Sequence, residues 1–255
     1  MTLKFAAASH RYWCDGKPIP GVTTLIGKGL PKDAIPYWAA RTVAEYVADN
    51  EEQVATLRDM GRGPMVSALK GIPWEKRDEA AVRGTDVHAL AERVVHGEEV
   101  DVPAHLVDHV TGYARWLDDF GVEPILTERS CANRTHWYAG RFDLVADLLG
   151  TRWLLDVKTS SKVYGDTALQ TDAYRNAEFY VEDDDPDTEH PMPEGIERLG
   201  VIHVTDYGTT LYPLRSDGDP FRKFLHVAYT GRSRKAIDAY LLDPITEPLT
   251  DGDHA

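Results

Sequence analysis

Two acids and a lysine stand in surroundings that should exclude charge. The run Gly140-Arg141-Phe142-Asp143-Leu144-Val145-Ala146-Asp147 leads, through Leu149-Gly150-Thr151, into Trp153-Leu154-Leu155-Asp156-Val157-Lys158-Thr159-Ser160. Both runs are apolar with strand character, and Asp143 and Asp156 each sit among hydrophobic neighbours. Lys158 follows Asp156 by two residues, so on a strand both side chains leave from one face. Burying such a pair without compensation is costly. Two carboxylates on neighbouring strand ends offer the oxygen ligands that Mg²⁺ takes. A neutral imidazole from His88 would favour Mn²⁺ as co-ligand, and the backbone carbonyl of Val157 offers one more oxygen. A bound metal lowers the pKa of its water, which Lys158 could orient or deprotonate for attack on a phosphodiester.

The elements that must position these groups are legible in outline. His10 to Pro20 reads as two short extended pieces around Asp15-Gly16. Ile35 to about Leu57 is helical by its three- and four-residue spacing. Gly61-Arg62-Gly63-Pro64 reads as a break before a weaker helix over Met65 to Lys70. A strong helix is expected from Glu79 to Val95, where Val87, Leu90, Ala91, Val94 and Val95 form an apolar stripe and Gly97 a stop. His88 lies beside that stripe, with Gly84 one turn earlier on the same side. Pro103 to Phe120 is a further helix, Pro124 to Cys131 a strand, and Asn133 to His136 a turn into the Asp143 strand. A helix from about Thr167 to Val181 carries Gln170 and Tyr174 four residues apart on one face. The acidic stretch to Pro193 reads as a mobile loop. Leu199–Val204 and Thr209–Leu214 form a hairpin, and Asp219 to about Leu242 a closing helix. Helices, three strands, a helix, two strands and a helix make a mixed sheet with helices packed on it.

Composition narrows the function class. A chain of 255 residues with 42% hydrophobic and 27% charged residues can bury a full core in one domain. No apolar run approaches the roughly 20 residues needed to span a bilayer, and the first eight residues read as too short and too quickly polar for a secretory signal, so none is expected. Cys14 and Cys131 form no CxxC pair, which argues against structural zinc or an iron–sulfur cluster, so both are expected as free thiols in a reducing cytoplasm. The net charge of −14 argues against a protein that coats DNA broadly. It leaves room for a cleft of opposite sign, because much of the acid lies in Glu182–Glu189 and in the tail Asp251-Gly252-Asp253, both expected to be solvated.

Taken singly, each feature has a plain alternative. Asp-x-Lys on a strand is often an exposed ion pair, a helical His beside an apolar stripe a packed one, and Gln170 with Tyr174 a polar helix face. Their order and spacing together resemble the PD-(D/E)XK nuclease superfamily, in the branch of phage recombination exonucleases and bacterial helicase-associated nuclease domains. The residues that carry the resemblance are Gly84-Thr85-Asp86-Val87-His88, Gly140-Arg141-Phe142-Asp143, Asp156-Val157-Lys158-Thr159 and Gln170-Thr171-Asp172-Ala173-Tyr174. They cover about Arg83 to Tyr180, and the cysteine quartet of the iron–sulfur members is missing.

The resemblance implies a restriction-endonuclease-like α/β fold, a central mixed β-sheet flanked by α-helices in a single domain. Its parts would be an N-terminal helical lead-in over 1–78, a catalytic core over 79–181 and a C-terminal hairpin and helix over 195–245. It makes His88, Asp143, Asp156 and the Val157 carbonyl ligands of one or two Mg²⁺ or Mn²⁺ ions, with Lys158 catalytic beside Asp143 and Asp156. Gln170, Tyr174, Thr159 and Ser160 would line the DNA side, and Glu128 is a further acidic candidate. The implied activity is a metal-dependent DNA exonuclease in phage recombination or end processing. Its partners would be DNA, a single-strand annealing recombinase and a homo-oligomer, without a membrane, in the host cytoplasm for a viral protein. An endonuclease of the same fold and a non-catalytic DNA-binding module are the alternatives.

Overall fold

The computed structural model describes residues 2–242 and 244. The acidic tail at Asp251–Asp253 and residues 243 and 245 of the 195–245 segment lie outside them. Three short strands come first: β1 (Leu3–Ala6), β2 (Arg11–Cys14) and β3 (Lys17–Ile19), in the order β1-β2-β3. The expected hairpin is present between β2 and β3, where Asp15 at φ +50° and Gly16 at φ +74° give the two left-handed residues that a tight turn needs. β1 was not expected, and it makes the N-terminal segment more than a helical lead-in.

Four helices follow: α1 (Val22–Gly29), α2 (Ala34–Asp49), α3 (Glu51–Asp59) and α4 (Arg62–Val95). The single helix expected over 35–57 is interrupted at Asn50, whose side-chain amide donates to the Tyr46 carbonyl at 2.9 Å and ends α2. The break expected at Gly61–Pro64 is a helix start. Pro64 falls in the first turn of α4, where a missing N–H costs nothing. From there the helix runs 34 residues through Pro73, so the separate helices expected over 65–70 and from Glu79 are one.

α5 (Val107–Phe120) ends at Gly121, which takes the left-handed cap conformation. The main sheet is built from β4 (Glu123–Asn133), β5 (Tyr138–Leu148), β6 (Thr151–Lys158), β7 (Phe179–Val181), β8 (His190–Pro191), β9 (Ile196–Thr205) and β10 (Gly208–Leu214). Its order is β10-β9-β6-β5-β4-β7-β8, antiparallel except for the parallel β6/β9 pair. α6 (Thr167–Arg175) follows β6, and α7 (Pro220–Asp238) follows β10. α6 stops short of the expected Val181, because Phe179–Val181 pairs with Ser130–Ala132 of β4 as a strand. The acidic stretch after it is tied down. Asp183 is bidentate on Arg141, Glu182 meets Arg129, and Glu189 meets Arg134.

Helices cover both faces of the sheet, the expected mixed α/β architecture. On one face α1, α6 and α7 pack on Tyr138, Phe142, Val145, Leu154 and Leu199. On the other, Val87 and Ala91 of α4 with Val110, Tyr113 and Trp116 of α5 pack on Leu144, Ala146, Trp153, Leu155 and Ile202. Cys14 and Cys131 are buried free thiols. Among the described residues no helix is long and apolar enough to cross a membrane.

Tyr174 belongs to this core and not to a groove. It is 3% exposed and presses on Gly140, where an added Cβ would lie 2.2 Å from the ring. The expectation that Tyr174 lines the DNA side is thereby corrected. A tyrosine that must lie flat against a strand requires a glycine beneath it, which accounts for both residues. Gly140→Ala is therefore expected to cost about 2–3 kcal/mol through overpacking, read as a lowered urea midpoint with an unchanged slope.

Candidate metal centre

The sheet opens where the acids lie. β5 pairs with β6 from Leu148↔Thr151 to Leu144↔Leu155 and no further, while β6 stays paired with β9 as far as Lys158↔His203. The edge of β6 beyond Leu155 is left facing a gap, and a side chain fills it: the Val157 N–H donates to Asp143 Oδ2 at 2.6 Å. A residue's N–H and C=O leave a strand on the same edge, so the Val157 carbonyl faces that gap as well.

Alternation along β5 changes phase at the same point. Phe142 and Val145 face α6, whereas Leu144 faces α4; a regular strand would put Phe142 and Leu144 together. Opposite Asp143 in the β4/β5 register stands Glu128, between the pairs Thr127↔Leu144 and Arg129↔Phe142, with φ at +50°. That conformation is uncommon outside glycine and stores on the order of 1–3 kcal/mol. Two carboxylates facing each other across a strand pair also repel. The repulsion calls for a positive charge beside the pair.

His88 of α4 reaches this pair. Its Nδ1 lies 3.5 Å from Glu128 Oε1 and 3.6 Å from Asp143 Oδ2. One ligand atom from each of the three residues lies within 4.8 Å of the others. Atoms bound about 2.1 Å from one ion sit about 3.0–3.5 Å apart, so one nitrogen and two carboxylates at this spacing fit a divalent cation. Glu128 moves from a further candidate to a member of the cluster. Arg141 anchors it, donating from Nε to Glu128 Oε2 at 2.8 Å. The sequence displayed Arg141 within its motif but gave no sign that it holds Glu128.

Asp156 and Lys158 leave β6 on the other face. Leu155 and Val157 point to the α4 side, so Asp156 between them points toward α6. There Gln170 Nε2 donates to Asp156 Oδ1 at 2.7 Å. Oδ2, fully enclosed, lies 2.7 Å from Lys158 Nζ and receives no hydrogen bond of good geometry. Asp156 is 2% exposed and stands outside the His88–Glu128–Asp143 cluster. Gln170, half-buried on α6, orients Asp156. Thr159 lies under α4, its Oγ1 3.3 Å from where a Cβ on Gly84 would be. A side chain at Gly84 would therefore press on the Thr159 hydroxyl, one turn before His88. Ser160 is exposed at the start of the loop, its hydroxyl donating to the Lys162 carbonyl at 2.8 Å.

Electrostatics bind the two halves together. Burial alone would lower the His88 pKa, but the carboxylates of Asp143 and Glu128 outweigh it and hold it at about 9. Burial raises Asp143 to about 7, against the pull of His88 and with the push of Asp156 and Glu128. Burial would raise Glu128, but hydrogen bonds from His88 and Arg141 keep it low. Burial would lower Lys158, yet Asp156 and Asp143 keep it high. The cluster thus retains a proton near neutral pH.

The sign of the resulting pH dependence follows from these displaced pKa values. His88, raised from 6.5, lends the metal-free fold stability that is present below 6.5 and lost as pH rises through 9. Asp143, raised from 3.8, costs stability as pH rises through 7. Both act in the same direction, and a metal would need both groups deprotonated. The rise in melting temperature on adding Mn²⁺ should therefore be larger at pH 8.5 than at pH 6. An equal or smaller rise at the higher pH would contradict the ligand set.

A cleft of about 640 Å³ opens onto the cluster, with Thr85, His88, Glu92, Glu128, Arg141 and Asp183 on its walls. Glu92, one turn beyond His88, is raised by burial and by Glu128. It is a second cleft residue that strand and motif patterns did not single out.

No family model and no curated protein matches the chain. Among solved structures it is similar to one described as the crystal structure of SSO0001, with 10% identity over 84% of this chain and 74% of that one, at a TM-score of 0.32.

Proposed function

We propose that the chain is a divalent-metal-dependent deoxyribonuclease of the PD-(D/E)XK type, acting on DNA ends. The observation that carries this reading is the convergence of His88, Glu128 and Asp143 at a gap in the sheet whose other border holds Val157 and the Asp156–Lys158 pair. His88, Glu128, Asp143 and the Val157 carbonyl would hold Mg²⁺ or Mn²⁺. Such an ion supplies Lewis acidity toward a phosphodiester and a hydroxide-like water at neutral pH. Asp143 also accepts the Val157 N–H, which fixes the strand edge next to Lys158. Asp156, itself oriented by Gln170, holds the Lys158 ammonium in place, and that cation offsets charge developing on phosphate oxygens. Thr159 and Ser160 continue from Lys158 toward the substrate side. Phage recombination or end processing, with a single-strand annealing recombinase as partner, is the setting this activity suits.

The test is digestion of linear and closed circular duplex DNA with Mg²⁺ or Mn²⁺. Loss of linear DNA alone, abolished by EDTA, supports an exonuclease. Nicking of the circle turns the assignment to an endonuclease. No metal-dependent loss of either form removes the nuclease reading.

A further inference from the structure

One strongly cationic surface remains outside the candidate centre. In a chain of net charge −14, α7 carries Arg222, Lys223, Arg232, Arg234 and Lys235 against the single acid Asp238. Three of these cations have local employment. Arg222 pairs with Asp219, Lys223 donates to the Gly218 carbonyl, and Arg232 donates to the His136 and Trp137 carbonyls. Arg234 and Lys235 are exposed and have no acidic partner among the described residues.

Packing extends this surface onto a second helix. α1 and α7 cross at glycines: a Cβ on Gly29 would lie 2.1 Å from the Val227 carbonyl oxygen, and one on Gly231 would lie 2.8 Å from the Leu25 oxygen and 3.3 Å from Lys28 Cβ. The close crossing brings exposed Lys28 against the basic end of α7. Beyond Lys28 the chain enters a cleft of about 530 Å³, walled by Lys32, Asp33 and Ile35 on one side and Tyr164 and Asp166 on the other, so its charge is mixed and the cationic part of the surface is the α1/α7 crossing itself. Tyr164 lies six residues after Lys158, so this cleft joins the end of α1 to the loop leaving the candidate centre.

We infer that the α1/α7 face is the track for the DNA phosphate backbone, gripping duplex through Lys28, Arg234 and Lys235 while the end is presented near Lys158. The inference rests on the nuclease reading for the presented end, but not for the grip itself. Unpaired cations repel one another on a folded surface, and a row of phosphates is the partner that relieves this while releasing counterions.

The test is anisotropy of a labelled blunt duplex with the full chain in EDTA across a salt series. Arg234→Gln with Lys235→Gln should weaken binding about 10-fold near 0.1 M salt and flatten the log–log salt slope by about 2. A control of equal charge change, Lys17→Gln with Arg215→Gln, should do much less. Equal losses in both variants, or none in either, overturn the track. If the wild type binds through α7 but hydrolyses no DNA with Mg²⁺ or Mn²⁺, the nuclease reading falls and the track stands. If it hydrolyses DNA and the α7 variant binds as tightly as wild type, the track alone falls. If the wild type binds no duplex at all, both fall.

Discussion

Asp143→Asn should abolish metal-dependent turnover, by about 10³-fold or more, while making the metal-free protein more stable at pH 8. The first effect follows from removing one of three donors that share a space 4.8 Å across. Metal sites lose affinity steeply when a carboxylate becomes a neutral amide. The second follows from what Asp143 endures without metal. Burial and the facing carboxylates raise it to about 7, so at pH 8 the charged form is held against its preference. An amide oxygen can still accept the Val157 N–H and so keep the strand edge in place. The gain should be on the order of a few kcal/mol, since each tenfold change in proton affinity is worth about 1.4 kcal/mol and the rise from 3.8 to about 7 already includes the attraction of His88. Urea melts in EDTA read the gain, and Mn²⁺ titration should leave the melting temperature unmoved. A variant that kept the full Mn²⁺ stabilisation would show that Asp143 is not a ligand.

This pairing of lost activity with gained stability is characteristic of a site built against the preferences of its own fold. Opposed carboxylates, a left-handed Glu128 and a phase change in β5 are all local departures from regular structure. Such departures gather where function outweighs stability. They also mark where the sequence was legible and where it was not. Asp143, Asp156 and Lys158 stood out because alternation made them misfits in apolar strands, and both strands formed within a residue or two of their expected places. Glu128 gave no such signal. Its strand is half polar, and its reach toward Asp143 depends on a backbone angle that composition does not encode.

Other differences have equally specific causes. Gln170 and Tyr174 share a helix face by spacing, but one reaches Asp156 while the other is pinned by Gly140. Periodicity places side chains on a face; it does not say what the opposing strand leaves open. α4 reads as two helices because Gly71 and Pro73 break helices in isolation, and tertiary packing carries the helix through them. The stretch Glu182–Glu189 reads as solvated because its acids are visible in the sequence. Its partners Arg129, Arg134 and Arg141 lie more than 40 residues away in the chain.

Lys158→Met should lower turnover by about 10²–10³-fold and destabilise the fold by about 1–3 kcal/mol. Asp156 is 2% exposed, and its Oδ2 faces the lysine ammonium at 2.7 Å. Removing one partner of a buried pair leaves an uncompensated charge, which costs about 3–5 kcal/mol when burial is complete. Here the lysine side chain is 31% exposed, so water entering at its end reduces the cost. The two losses have separate origins, and a second substitution divides them. Lys158→Met with Asp156→Asn removes the stranded charge and leaves Gln170 a neutral partner, so urea stability should return most of the way. On the proposed reading turnover should not return, because the cation that would offset charge on the phosphate is still missing. A non-additive cycle in stability alongside an unrecovered rate assigns Asp156 to positioning Lys158. Recovery of the rate together with the stability would mean that the lysine serves the fold and that the chemistry lies with His88, Glu128 and Asp143 alone.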